Sequence, residues 1–366
     1  MTHIEKHLSL FRCPISGEEL RVAAADELAA INEEMSDGSR LSRDGSRVPE
    51  SLQTALVAAD GQFVYRLADG VACLLPDLAI VRAHDVVSEV RDADSAGVRR
   101  FYDELGWVQR ADGTYEDTAL FTEVSPIAER YRVACNRRIG RQLRGGKYLL
   151  DVASGAIPHP EYLDFSANYD FRVCVDFSML ALLEAAKKLG EKAICVLGDI
   201  TCLPLRSDAV DDAISLHTIY HVPVDRQTAA VDELVRVTKR GGSAIVVYTW
   251  SRSSAMETVF KVRGALGTLR RGGRPSPAAV KAKTAPASDS PLYFHPQGIE
   301  WYHEYIRPRH PARLLVWSLV STFYQHRFFR SRLTGNLAAK IVECIETMAP
   351  SWCGRHGQYP MFVIRK

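Results

Sequence analysis

No apolar run in this chain approaches the roughly 20 residues that a bilayer-spanning helix requires, and its start, MTHIEKHLSLFR, scatters charge where a secretory leader holds a smooth apolar centre. A soluble cytoplasmic protein is the expectation. Cysteine forms no framework: Cys13, Cys73, Cys135, Cys174, Cys195, Cys202, Cys344 and Cys353 lie apart, in segments that read as core strands and helices. That spread excludes a disulfide-stapled scaffold and predicts buried, reduced thiols. Neither sign of charge dominates, since 46 Lys and Arg stand against 44 Asp and Glu, so there is no whole-chain footprint for nucleic acid. No internal repeat is visible, which excludes a solenoid. No complete G-x-G-x-x-G occurs, which argues against a dinucleotide pyrophosphate cradle.

What is present is an ordinary globular composition, 46% apolar and 25% charged, over 366 residues. That length exceeds what one compact core of common size uses, so a main domain with something appended is expected. Residues 1–82 are rich in turns: CPISGEEL, a helix-like AADELAAINEEM, a polar SDGSRLSRDGSR, then DGQFVYRLADGVACLLPD. In the last piece Phe63, Tyr65 and Leu67 alternate with polar partners, Ala68-Asp69-Gly70 turns, and Val71 to Leu75 resumes, which predicts a hairpin in a small β-rich module. Residues 83–146 carry VRRFYDELGW and PIAERYRVACNRRIGRQL. The second places Ile127, Tyr131, Ala134, Cys135 and Ile139 at helical spacing before Gly145-Gly146, so these read as lead-in helices. Tyr102, Trp107, Tyr115, Phe121, Arg130 and Tyr131 could form a lid there, although aromatic residues at this density more often fill a core. Arg130 and Tyr131 are carried forward as weak substrate candidates.

Residues 147–366 alternate short apolar runs with helical patterns. YLLDVA, RVCVDF, ICVLGD, DDAISL and SAIVVYTW read as strands; SMLALLEAAKKLG and RQTAAVDELVRVTKRGG read as the helices between them. That alternation predicts an α/β fold, a doubly wound, Rossmann-like parallel sheet with right-handed crossovers. WSLVSTFY and YPMFVIRK read as two further strands around a helix, NLAAKIVECIETM. Between Lys261 and Lys283 stand seven basic residues and no acid. The stretch 263–290, rich in Gly, Pro, Ala and Ser, reads as a mobile basic insertion.

In such a sheet ligands sit outside the carboxyl ends of the strands, near the point where strand order reverses. The first strand ends in Asp151, followed by Ala153, Ser154, Gly155 and Ala156, small residues that let a ligand approach the backbone. The second ends in Asp176, with Phe177 beside it, and the third in Asp199 and Ile200. One Asp ending a strand is most often a cap or a solvated turn; three at successive strand ends are a pattern.

The pattern resembles the class I S-adenosylmethionine-dependent methyltransferases over about Lys147 to Trp250. DVASGA stands where that family has D-x-G-x-G-x-G, VDFS matches its acidic second strand, GDITCLPLRSDAVDDAISLHTIYHV its stretch into the fourth strand, and DELVRVTKRGGSAIVVY its helix, Gly-Gly turn and fifth strand. The resemblance implies S-adenosyl-L-methionine as cofactor. Asp151, Ala153 and Gly155 would lie near its methionine end, Asp176 and Phe177 at the ribose, and Asp199 and Ile200 at the adenine. Two departures stand out: Ala153 replaces the first loop glycine, and Ala156-Ile157-Pro158 replaces the last.

The fourth strand runs into SLHTIYHVP. If a helical turn begins there, His217 and His221 share a face, and a histidine of near-neutral pKa suits removal of a hydroxyl proton. They are the catalytic candidates, with Tyr220 between them as a substrate candidate. The bland reading is a strand-capping histidine, and metal binding is disfavoured because His-x3-His lacks further ligands. HPQGIEWYHEYI, with His295, Trp301, Tyr302 and His303, stands where this fold often shapes its acceptor pocket.

FRCPISGEEL followed by DGVACLLPD resembles the small zinc-ribbon-like activator subunit of some nucleic-acid and protein methyltransferases. Ser16 replaces a metal cysteine, and Cys13 and Cys73 alone cannot fill a tetrahedral site, so no metal is expected. The leading expectation is methyl transfer, O-directed, to a small-molecule, lipid or glycan acceptor. The alternatives are an RNA or protein methyltransferase using the basic insertion, and a non-catalytic scaffold that has lost the glycine loop.

Overall fold

The computed structural model describes residues 3–48, 50–87, 93–110, 115–116, 125–270, 292–329 and 331–366. Its centre is the expected sheet. β7 (Gly146–Val152), β8 (Tyr169–Asp176), β9 (Ala193–Leu197), β10 (Val210–Leu216) and β11 (Thr238–Val247) are joined in parallel, and β12 (Ala312–Ser318) and β13 (Tyr359–Arg365) close the far side, β13 antiparallel to both β11 and β12. The order is β9-β8-β7-β10-β11-β13-β12. The chain winds outward from β7 to β9, returns, and winds the other way from β10, so the switch point lies between β7 and β10.

Side-chain alternation along the strands sorts two cores. Leu150, Val152, Val173, Val175, Val196 and Ala213 face a layer that includes helix α5 (Gln227–Val237) and the chain's beginning. Leu149, Ile214, Ile245 and Val247 face helices α3 (Pro126–Gly140) and α8 (Arg332–Met348), while Cys174, Cys195 and Leu197 on that same face meet α4 (Met179–Leu189). Asp151 shares parity with Leu149 and Asp176 with Cys174, so both carboxylates belong to the second face. Local sequence supports these helices: Ser125 and Ser178 cap α3 and α4 by accepting from Ala128 and Ala181, and Pro126 opens α3.

The beginning of the chain is not set apart from this sheet. β1 (Leu20–Val22), β3 (Ala55–Ala58) and β4 (Val64–Ala68) run antiparallel, helix α1 (Ala25–Ser36) follows β1, and β2 (Arg40–Ser42) pairs with β6 (Ile80–Arg82). The expected hairpin is there: Asp69 and Gly70, both at positive φ, turn β4 into β5 (Val71–Cys73). β5 then lies parallel to β9, with Val71, Ala72 and Cys73 opposite Cys195, Val196 and Leu197. The N-terminal strands thus continue the main sheet and cover its β9 edge. Cys13 and Cys73 lie in different cores, the former with its sulfur 3.1 Å from the Tyr65 hydroxyl.

Some expectations require correction. STFY is not strand: β12 ends at Ser318, and Ser321 caps helix α7 (Thr322–Phe328) by accepting from the Tyr324 amide. The helix expected to stop at Gly145-Gly146 already ends at Gly140, and Gly146 opens β7. Helix α6 (Ser254–Arg270) extends eight residues into the stretch read as a basic insertion; the rest of that stretch, from Arg271, lies outside the described residues, as does Phe121. The lead-in segment forms α2 (Ala93–Phe101) and a π-turn, Tyr102–Gly106. Between β7 and β8 no α-helix forms; Pro158 and Pro160 deny it backbone donors, and only a 3-10 segment, Pro160–Ser166, stands there.

Candidate functional site

The loop that leaves β7 keeps a glycine-loop backbone with few glycines. Ala153, Gly155 and Ile157 have φ of +54°, +54° and +50°. A β-branched residue in the left-handed region is strained, and Ile157 is held there by burial against α4. The Ala153 amide donates to the Val175 carbonyl at 2.7 Å. The Gly155 amide donates to Oδ2 of Asp176 at 2.8 Å, while Oδ1 accepts from the Ser178 amide at 2.9 Å. Asp176 therefore ties the first strand's loop to the cap of α4 at the carboxyl ends of two adjacent strands. Two residues beyond β9, Asp199 caps a short turn, its Oδ1 accepting from the amide and hydroxyl of Thr201. Ile200 is turned into the core beneath it, and Phe177 rests partly buried against the α4 cluster.

Asp151 is engaged within the fold. Its Oδ2 accepts from Nη2 and Nε of Arg172, at 2.5 and 3.1 Å, and Arg172 is fully buried, donating also to the Tyr162 carbonyl and the Ser166 hydroxyl. The pair fastens β7 to β8 and to the 3-10 segment. Tyr131 is likewise internal: its hydroxyl donates to Glu346, which also takes Nη2 of Arg138, so it has no donor left for a ligand. Arg130 is exposed and donates to Asn336, on the side of α8. Both weak substrate candidates are thus accounted for by packing between α3 and α8.

His217 and His221 come near each other but do not share a helical face. His217 sits at φ +61°, which breaks the chain out of β10, and the 3-10 turn begins only at Ile219. The His217 ring stands edge-on to Trp317 at 4.4 Å and near Tyr359, whereas His221 lies against Tyr220 and Phe294. Near-neutral basicity is also corrected. Desolvation, with the nearby His159 and His221, pulls His217 down to about 3, and desolvation pulls His221 down to about 4. The His221 Nδ1 lies 2.7 Å from the Tyr293 carbonyl oxygen. A carbonyl can only accept, so Nδ1 carries the proton and Nε2 keeps a lone pair. Tyr220 is buried in the first core, its carbonyl accepting from His295. Trp301 and Tyr302 are core residues bonded to Thr228 and the Ala312 carbonyl.

Sequence reasoning missed His159. It is buried at the start of the 3-10 segment, lies 5.2 Å from Tyr162 ring to ring, and is pulled down to about 4 by desolvation and by Arg132 and Lys188. Its charge is felt at His217, across the switch point. The signal was a histidine between two prolines directly after the loop.

Over the same loop lies an aromatic cover. Trp107 stacks on Tyr102 at 5.6 Å and meets Tyr115 edge-on at 5.8 Å, and all three pack on Ala156 and Ala181. Lys188 donates to the carbonyls of Ala156 and Ile157 and places its ammonium 4.6 Å from the Tyr115 ring centre. Trp107 is 8% exposed, and its Nε1 has no hydrogen-bond partner among the described residues.

Residues 150–246, from β7 to β11, match the family described as a methyltransferase domain. No curated protein matches the chain. Among solved structures it is similar to phosphoethanolamine N-methyltransferase 2 of Haemonchus contortus in complex with S-adenosyl-L-methionine, at 13% identity over 79% of this chain and 63% of that one, TM-score 0.45. It is also similar to geranyl diphosphate C-methyltransferase of Streptomyces coelicolor A3(2), at 12% identity over 75% and 98%, TM-score 0.41. A third is a methyltransferase-like protein of Bacillus halodurans C-125, at 15% identity over 63% and 96%, TM-score 0.35. Residues 150–246, the stretch from β7 to β11 with this strand order, are thus a methyltransferase domain.

Proposed function

We propose that this enzyme methylates a hydroxyl group on a small, largely apolar acceptor, with Asp176 and Asp199 holding the cofactor and His221 taking the acceptor's proton. The carrying observation is the fixed tautomer of His221: Nδ1 donates to the Tyr293 carbonyl, so Nε2 can accept. The residues suit the cofactor. Gly155 at positive φ opens the loop backbone, and the Oδ2 of Asp199 accepts no hydrogen bond among the described residues, as an acceptor for an adenine amino group would require. Bound S-adenosylmethionine supplies a methyl group already activated on a sulfonium. The chain's part is to orient the acceptor, exclude water and remove one proton. Desolvation keeps His221 neutral throughout the physiological range and also makes it a weak base, so Nε2 takes the proton as the methyl group is transferred and not before. Tyr220 and Phe294 stand against His221, and Trp317 and Tyr359 against His217, which supports an apolar or aromatic acceptor rather than a polyanion. The RNA alternative rests on basic residues that lie mostly beyond Arg270, outside the described residues.

Calorimetry with S-adenosylhomocysteine and transfer of labelled methyl to a panel of phenols and hydroxylated lipids test this reading. Asp176→Ala should weaken binding by about tenfold or more, the loss of charge-assisted hydrogen bonds. His221→Ala should bind like the parent and transfer about a hundredfold more slowly. Parental turnover in His221→Ala would remove the base assignment, and an Asp176→Ala protein with parental affinity would remove the cofactor assignment.

A further inference from the structure

We infer that Trp107 is a cofactor-binding residue, its indole N–H donating to the carboxylate at the amino-acid end of the S-adenosyl ligand where that ligand crosses Gly155. This rests on the placement of the cofactor proposed above. The observation is an unmet donor in a built position. An indole N–H can only donate, and a buried donor without an acceptor is destabilising; Trp107 carries that deficit among the described residues. Its location is specific. A Cβ placed on Gly155 would stand 2.3 and 2.4 Å from Cη2 and Cζ2 of Trp107, so the indole fills the space that the missing side chain opens. Glycine at that position is what lets the ring lie directly on the loop.

Lys188 binds the carbonyls of Ala156 and Ile157 and faces Tyr115, which touches Trp107, and the Glu184 carboxylate acts on both Lys188 and Tyr115, so the indole N–H itself, a donor, sets the demand for an acceptor. Tyr102 and Tyr115 hold the indole from two sides, which limits the entropy lost when the N–H finds its acceptor. No acceptor in the described part of the chain claims it.

The test uses the full chain, with S-adenosylhomocysteine as probe. Trp107→Phe keeps an aromatic ring against Gly155 and removes only the donor. Affinity should fall about tenfold while the thermal midpoint without ligand stays near the parental value. A readout that needs no substitution is the indole 15N–1H spectrum of the parent, which has five tryptophans. Added S-adenosylhomocysteine should move one cross-peak downfield, the one absent from Trp107→Phe. Parental binding with unchanged affinity in Trp107→Phe, or five unmoved indole peaks at saturation, would overturn the inference while leaving the cofactor site standing. A parent that binds no S-adenosylhomocysteine would overturn the site itself, and this inference with it.

Discussion

His159, His217 and His221 are each held with a folded-state pKa below the ordinary histidine value, at about 4, 3 and 4, and in each case burial is the largest cause. The consequence for stability has a definite sign. Between the unfolded value of about 6.5 and these lowered values the unfolded chain binds more protons than the native one, so stability rises with pH. It should be complete above pH 6.5 and fall as the solution is acidified toward pH 4. The thermal midpoint measured from pH 7.5 to 5 should therefore decline, and His217→Asn should flatten the decline. Asparagine suits the test because it tolerates the positive φ at that position and does not titrate. A slope unchanged in that variant would mean that His217 is solvated in solution. The type and position of His217 and His221 were legible in the sequence, but their basicity was not, since desolvation is set by Trp317, Tyr359 and Phe294, residues far away along the chain.

The loop after β7 shows how an element can keep its shape while its sequence departs from the usual pattern. Two of its three left-handed positions carry side chains, which costs about 1–2 kcal/mol each relative to glycine's freedom, and the strain at Ile157 is offset by burial against Leu182 and Ala185. Ala153 has less to offset it, being only partly buried. Ala153→Gly should raise stability by roughly 0.5–1 kcal/mol after glycine's greater unfolded-state entropy is counted, seen as a thermal midpoint about 2 °C higher. A lower midpoint would show that the Ala153 methyl group makes contacts worth more than the backbone strain. The helix usual after such a loop is replaced by the Pro160–Ser166 segment, and Arg172 reaches from β8 to bind it and Asp151 together. Asp151 was legible as a strand-end carboxylate; its commitment to Arg172 depends on strand register, with Leu149 opposite Arg172 and Asp151 opposite Cys174.

At the scale of the whole molecule, the N-terminal strands and the main sheet form one hydrogen-bonded surface. β5 supplies the row of partners that the β9 edge would otherwise present to solvent, and Ile4, Leu10, Phe11 and Cys13 belong to the same core as Val173, Val196 and Leu203. A chain beginning at residue 83 should therefore aggregate or elute as large soluble assemblies in size-exclusion chromatography. A monomeric 83–366 fragment with the parent's far-ultraviolet spectrum would show instead that the first 82 residues are an independent attachment.

Sequence alone determined what depends on neighbours along the chain: the period-2 and period-3.6 patterns that make β7 to β11 and their helices, the Asp-Gly hairpin, the serine caps, and the acids that end three successive strands. Tertiary structure decided what depends on distant partners. It joined β5 to β9, paired Asp151 with Arg172, assigned Tyr131 to Glu346, lowered the histidines, and set Trp107 on Gly155. The division follows from range: backbone preference and amphipathic period act within a few residues, whereas burial, desolvation and ion pairing exist only once segments distant along the chain have met.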